Sequence, residues 1–200
     1  LLPSLIVLNR LLKYTVNDSI LLSNVLLSDA VMFEMLFPKE ASFVVKAYEE
    51  FTLQSATSIA ERFGRDTGHI SRVSSVALEI YDKMKKLHGY KLRERTLLQV
   101  SAILQDIGKY VNVRNHALLS YNTITNLDIV GINDHERLII ATVCYYHNGN
   151  IPSMDSPIYN QLSQEDRVMV SKLAAILQIS NAINTSHSPK FEQVSVNMKN

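Results

Sequence analysis

Residues 97–110, Leu97-Leu98-Gln99-Val100-Ser101-Ala102-Ile103-Leu104-Gln105-Asp106-Ile107-Gly108-Lys109-Tyr110, constrain the fold more than any other stretch. Their apolar positions read as a buried helix that carries a carboxylate at its end and is stopped by Gly108. Upstream, His69, Val73, Val76 and Ile80 recur at helical spacing, so His69 points where the core residues point. A helix that turns a His inward, beside one that ends in an Asp, describes an all-α domain with polar chemistry in its interior.

The rest of the chain supports that class. Helical periodicity covers residues 4–14 through Leu5, Leu8, Leu11 and Leu12, and Asn17-Asp18 marks a turn. Ile20-Leu21-Leu22 is too brief for a helix and is expected to form an edge strand. Residues 28–36 read as helix with Ser28 as the N-cap, and Pro38 breaks the chain. A helix is expected from about Ala41, then a separate short one from Ser55 to Phe63 that ends at Gly64. Beyond Thr67 the expected helices run to Gly89, from Arg93 to Asp106, over 117–127, over 134–146, and from a cap at Ser163 to Asn184. The last has an inner stripe of Met169, Leu173, Ile176, Leu177 and Ile183.

With 46% hydrophobic residues, 200 residues suffice for one domain with a sizeable core, or for one domain plus a fragment of another. The net charge of +1 selects no partner class, but its distribution is uneven. Residues 61–95 hold nine Lys or Arg against five acids, a local +4. The lone Cys144 excludes an internal disulfide and suits a reducing compartment. The apolar opening is broken by Pro3 and lacks a basic leader and a cleavage site, so no signal peptide is expected. No run approaches the roughly 20 apolar residues of a membrane span. A cytoplasmic chain is expected, and its start at Leu1, in mid-helix pattern, suggests a piece of a longer protein.

His69, Asp106, His147 and Asn181 are the groups whose order suggests a site, with Gln105 beside Asp106 and His116 nearby in sequence. Neutral imidazoles and carboxylates on rigid helices are what a divalent metal needs in order to polarise a phosphoryl oxygen. Simpler roles compete: a core His69 hydrogen-bonded to Asp106, an Asp106 bonding backbone N–H groups near Gly108, a His147 complementing a helix dipole, and a His116 that caps a helix or faces solvent. His88, His135 and His187 are expected at the surface, and Cys144 in the core. The basic segment of Lys83, Lys85, Lys86, Lys91, Arg93 and Arg95 is either a solvated helix end or a polyanion-binding patch. No Gly-rich phosphate loop, Cys-x-x-Cys pair or Ser nucleophile elbow is present.

The order His69, Gln105-Asp106, His147, Asn181 is similar to the ligand order of HD phosphohydrolases, with Gln105 where they have His and Asn181 where they have Asp. Phe63-Gly64-Arg65-Asp66-Thr67-Gly68-His69, Leu104 to Gly108, His116 with Ser120, and Tyr146-His147 with Pro152 resemble segments of the exopolyphosphatase/guanosine pentaphosphate phosphatase (Ppx/GppA) family. So do Leu162 to Arg167 and Leu173 to Asn184. The resemblance implies residues 1–37 as the helix–strand–helix end of an actin-like phosphatase domain and 38–200 as an HD-like helical bundle. Phosphoanhydride hydrolysis with Mg²⁺ would then belong to the missing actin-like domain. This chain would need no cofactor, assist binding of polyphosphate or a phosphorylated guanosine nucleotide, and dimerise. Neither nucleic acid nor membrane is an expected partner. With two of four HD ligands changed, the site (His69, Gln105, Asp106, His116, His147, Asn181) is expected to be vestigial and metal-free, with no catalytic residue. The alternatives are an active HD phosphohydrolase using His69, Asp106 and His147, and a pure self-association module.

Overall fold

The computed structural model describes residues 2–15, 27–37 and 42–185, and among these every regular element is helical. In chain order they are α1 (Leu2–Tyr14), α2 (Leu27–Leu36), α3 (Ser42–Arg62), α4 (Thr67–Lys83), α5 (Lys85–His88), α6 (Leu92–Leu104), a 3₁₀ turn (Ile107–Tyr110), α7 (His116–Ile124), α8 (Asp134–Tyr146), α9 (Pro157–Asn160) and α10 (Gln164–Thr185). The strand expected at residues 20–22 lies outside the described residues, as does His187. The chain separates into two compact units, Leu1–Val44 and Val45–Asn200. In the first, α2 carries a run of exposed apolar side chains: Val31, Met32, Phe33, Met35 and Leu36.

The second unit is built on α4, α6, α8 and α10, which close a ring: α4 packs on α6, α6 on α8, α8 on α10 and α10 back on α4. Val73, Ala77, Leu98, Leu104, Ile140, Val143, Leu173 and Leu177 are fully buried in its centre. Each large aliphatic side chain among them contributes roughly 1.5–3 kcal/mol by leaving water. α7 packs on α8 and on the 3₁₀ turn, at one side of the ring.

Local signals fix the helix starts. Asp66 caps α4, its carboxylate accepting from the N–H groups of Gly68 and His69 at 3.0 and 3.1 Å. Asn133 caps α8 by accepting from the Glu136 N–H at 2.9 Å, and the Glu136 carboxylate accepts from the Asn133 N–H at 3.2 Å. This reciprocal capping box leaves fewer orphan donors in the first turn. The Ser163 hydroxyl plays the corresponding part for α10, accepting from the Asp166 N–H at 3.1 Å.

Four expectations are corrected. Residues 41–63 do not form two helices: α3 is continuous, because Thr52 and Thr57 turn their hydroxyls back to the carbonyls of Tyr48 and Leu53 instead of interrupting the backbone ladder. Ser28 lies inside α2 and is not its cap. The helix expected to reach Gly89 breaks at Met84, after which α5 ends at Gly89 with φ +70°, a conformation that favours glycine. His88 is buried, not on the surface: it fills the corner between α4 and α6, its Nε2 2.8 Å from the Tyr81 carbonyl and its Nδ1 accepting from the Tyr90 N–H.

Candidate functional site

Asp106 follows the C-terminus of α6 and is 3% exposed. Its two oxygens have different surroundings. Oδ2 accepts from Lys109 Nζ at 2.7 Å and has Arg65 at 3.8 Å and His69 Nε2 at 4.0 Å. Oδ1 faces His147 Nε2 at 3.4 Å and His116 Nε2 at 3.5 Å, yet it is engaged in no hydrogen bond. The two Nε2 atoms are 3.3 Å apart.

Each imidazole is anchored through its other nitrogen. His116 Nδ1 lies 2.8 Å from the Val113 carbonyl and His147 Nδ1 2.5 Å from the Cys144 carbonyl. A carbonyl only accepts, so Nδ1 carries the hydrogen in both rings and each Nε2 presents a lone pair. Three acceptor atoms therefore converge on one point inside the protein.

The local fold enforces this convergence. His116 is the first residue of α7, and α7 reaches Asp106 because Gly108 has no side chain. Ser120 links the two, donating to the Gln105 carbonyl at 2.8 Å and accepting from the Gly108 N–H at 2.9 Å. His147 directly follows α8, 2% exposed. Burial would raise the Asp106 pKa, but the Lys109 ammonium on Oδ2 opposes it, and the carboxyl is held below the usual range. His69 and His116 are shifted down, in both cases first by burial.

Asp106, His116 and His147 thus come together, with His69 at the rim on the Oδ2 side. The His69–Asp106 separation is too long for the hydrogen bond expected of a core His–Asp pair. Nor does the Asp106 carboxylate bond the N–H of Gly108, which goes to Ser120. His116 is neither solvent-facing nor a helix cap, but buried. Gln105 is buried with its Oε1 unpartnered, and Asn181 is half-buried on α10. Sequence reasoning missed Lys109 and Arg65 as partners of Asp106; the i, i+3 spacing of Asp106 and Lys109 is the one local signal for either.

The six basic residues of segment 83–95 have two fates. Arg93 forms a bidentate pair with Glu136 and also donates to the Gly131 carbonyl, while Arg95 pairs with Asp82 through two 2.9 Å bonds. Lys83, Lys85, Lys86 and Lys91 are exposed. From His69 to Lys83, α4 rises roughly 21 Å at 1.5 Å per residue, so the lysines and Asp106 lie toward opposite ends of the helix.

The domain is one of the helical domains of phosphatases. The family model described as Ppx/GppA phosphatase, domain III, matches residues 53–200, and the chain belongs to the Ppx/GppA family. A guanosine-5'-triphosphate,3'-diphosphate pyrophosphatase of Photobacterium profundum is 20% identical over 162 residues. That alignment covers 81% of this chain and 31% of the relative, so the chain spans about a third of that relative's length. No helix among the described residues is long and apolar enough to cross a membrane.

Proposed function

We propose that this chain is the substrate-holding helical region of an exopolyphosphatase-like phosphoanhydride hydrolase, and that it binds a polyanion, either polyphosphate or a phosphorylated guanosine nucleotide. The observation that carries this reading is the positive charge at both ends of α4. Arg65, Arg72 and Lys109 lie around His69 at one end, and exposed Lys83, Lys85, Lys86 and Lys91 lie at the other. The name of the Photobacterium relative, a pyrophosphatase of a guanosine polyphosphate, agrees with a polyanionic ligand.

The HD positions support a role in binding over hydrolysis by this domain alone, because Gln105 and Asn181 supply neither an imidazole nor a carboxylate. Cleavage, with Mg²⁺, would belong to a preceding actin-like domain. The exposed apolar side chains of α2 suit residues 1–37 as the end of such a domain. A cytoplasmic homodimer is the assembly this reading favours.

Calorimetric titration of the chain with inorganic polyphosphate at low and high salt tests it. Affinity should fall steeply with salt, since long-range attraction between exposed charges is screened. It should also fall in Lys85→Glu/Lys86→Glu, and in Arg65→Gln. Salt-independent binding, or no change in any of these variants, would remove polyanion binding from the function.

A further inference from the structure

We infer that Asp106 Oδ1, His116 Nε2 and His147 Nε2 are three ligands of a tetrahedral divalent transition metal, zinc by geometry, with the fourth position open. The separations within the triad are 3.3, 3.4 and 3.5 Å. A tetrahedral ion with bonds of roughly 2.0–2.1 Å sets its ligand atoms about 3.3 Å apart. An octahedral ion with bonds near 2.1 Å would set adjacent ligands about 3.0 Å apart. The triad has the tetrahedral spacing.

Three features of the polar network agree. Both imidazoles spend their hydrogen on a backbone carbonyl, the arrangement that orients metal-bound histidines and fixes their tautomer. Oδ1 is buried with no donor, although an acceptor stripped of water and left unpaired is costly. One cation would satisfy Oδ1 and both lone pairs together. The other oxygen of the same carboxylate is held by Lys109, which fixes the direction in which Oδ1 points. Imidazole nitrogens with one carboxylate are a donor set that suits zinc.

This is not the ligand set that the sequence order implied. Counting His69, Gln105, Asp106 and Asn181 gave two retained ligands and a metal-free site; the triad instead draws His116 and His147 from α7 and α8. His69 lies on the opposite side of the carboxylate, nearest Oδ2. A metal held by the triad would act as a Lewis acid toward an oxygen at the open position. The inference does not rest on polyanion binding and stands or falls separately.

Tag-free protein is incubated with Zn²⁺ or Co²⁺ and desalted; metal content is measured by elemental analysis, and the Co²⁺ form by visible absorption. Expected are close to one ion per chain, the intense visible bands of four-coordinate Co²⁺, and a melting temperature that rises with free Zn²⁺. His116→Gln and His147→Gln should each weaken retention by at least about tenfold, while His69→Gln changes it less than twofold. Circular dichroism checks that the variants are folded. If they are not, the Co²⁺ spectrum of the unaltered chain decides: weak six-coordinate bands overturn the assignment. So do a chain that retains no metal, full retention in the folded His116→Gln/His147→Gln double variant, and a loss in His69→Gln equal to that in His147→Gln.

Discussion

A methyl group at position 108 would sit 2.2 Å from the carbonyl oxygen of His116 and 2.5 Å from the amide nitrogen of Ser120. Gly108 therefore sets how closely α7 approaches the end of α6, and with it the distance from His116 to Asp106. The atoms in the way are backbone, which cannot rotate aside as a flexible side chain can. Gly108→Ala should destabilise the domain by about 1–3 kcal/mol, the typical range of overpacking, and toward its upper end because backbone atoms are in the way. Urea denaturation checks the magnitude. A loss below about 0.5 kcal/mol would mean that α7 shifts freely, and that the close approach does not hold His116 in place.

The Arg93–Glu136 pair joins the start of α6 to the start of α8 and gives a pH dependence with a definite sign. Burial would raise the Glu136 pKa, but the Arg93 hydrogen bond and the Asn133 N–H outweigh it, so the carboxyl is held below its ordinary value. A carboxyl depressed in the folded state stabilises above its unfolded pKa of about 4.3 and loses that contribution as pH falls through the folded value. Glu136→Gln should therefore lower stability at neutral pH and flatten its decline below about pH 4.5. Because the Arg93 side chain is 41% exposed, the loss at neutral pH should be modest, about 1 kcal/mol. Parallel denaturation curves for the two proteins from neutral to acid pH would show no coupling and remove the pair from the stability argument.

The helices were far more legible than the site, and the reason is range. For α8 the expected and observed limits coincide at 134 and 146, because the Asn133 cap and the apolar periodicity are both local. In α10 the expected stripe holds at Leu173, Ile176 and Leu177, which are buried in the core. The expected break in α3 before Ser55 does not occur, because the Thr52 hydroxyl is satisfied within the helix and leaves the backbone ladder uninterrupted. His116 and His147 are 31 residues apart, and each has an ordinary local explanation. Only the packing of α7 on α8 brings them together, and no spacing along the chain encodes it. The charged corner failed for a similar reason: Arg93 and Arg95 read as free cations until Glu136 and Asp82 are placed against them.

His88 bears directly on that corner. Its ring lies 4.2 Å from the Tyr81 ring and 5.4 Å from the Tyr90 ring, centroid to centroid, while its nitrogens serve one carbonyl and one N–H. The Tyr90 N–H donates to Nδ1, so Nε2 carries the hydrogen and the ring is neutral. His88→Leu would keep much of the apolar volume but leave the Tyr90 N–H and the Tyr81 carbonyl unpaired in a buried place. That should cost roughly 2–3 kcal/mol, well beyond the roughly 0.5 kcal/mol usual for a surface change such as Lys86→Ala. Equal stability of the two variants would return His88 to the surface role expected of it.

Cys144 lies in the wall of the site, and its behaviour follows from burial. Its Sγ is inaccessible and donates to the Ser101 carbonyl at 3.4 Å, while its own carbonyl anchors His147. Burial pushes the thiol pKa well above its usual value, and the Asp106 carboxylate adds to the shift. Thiolate is the nucleophilic form, so a thiol both covered and held protonated should be inert. In native buffer at mildly alkaline pH, a chromogenic disulfide reagent should label Cys144 no faster than the domain opens, and labelling should become immediate in denaturant. Cys144→Ala should keep the His147 anchor, which is a backbone carbonyl, and cost only about 1 kcal/mol for the lost sulfur contacts. Rapid labelling of the folded protein would show instead that the interface of α6 and α8 opens locally, and with it the wall that holds His147 toward Asp106.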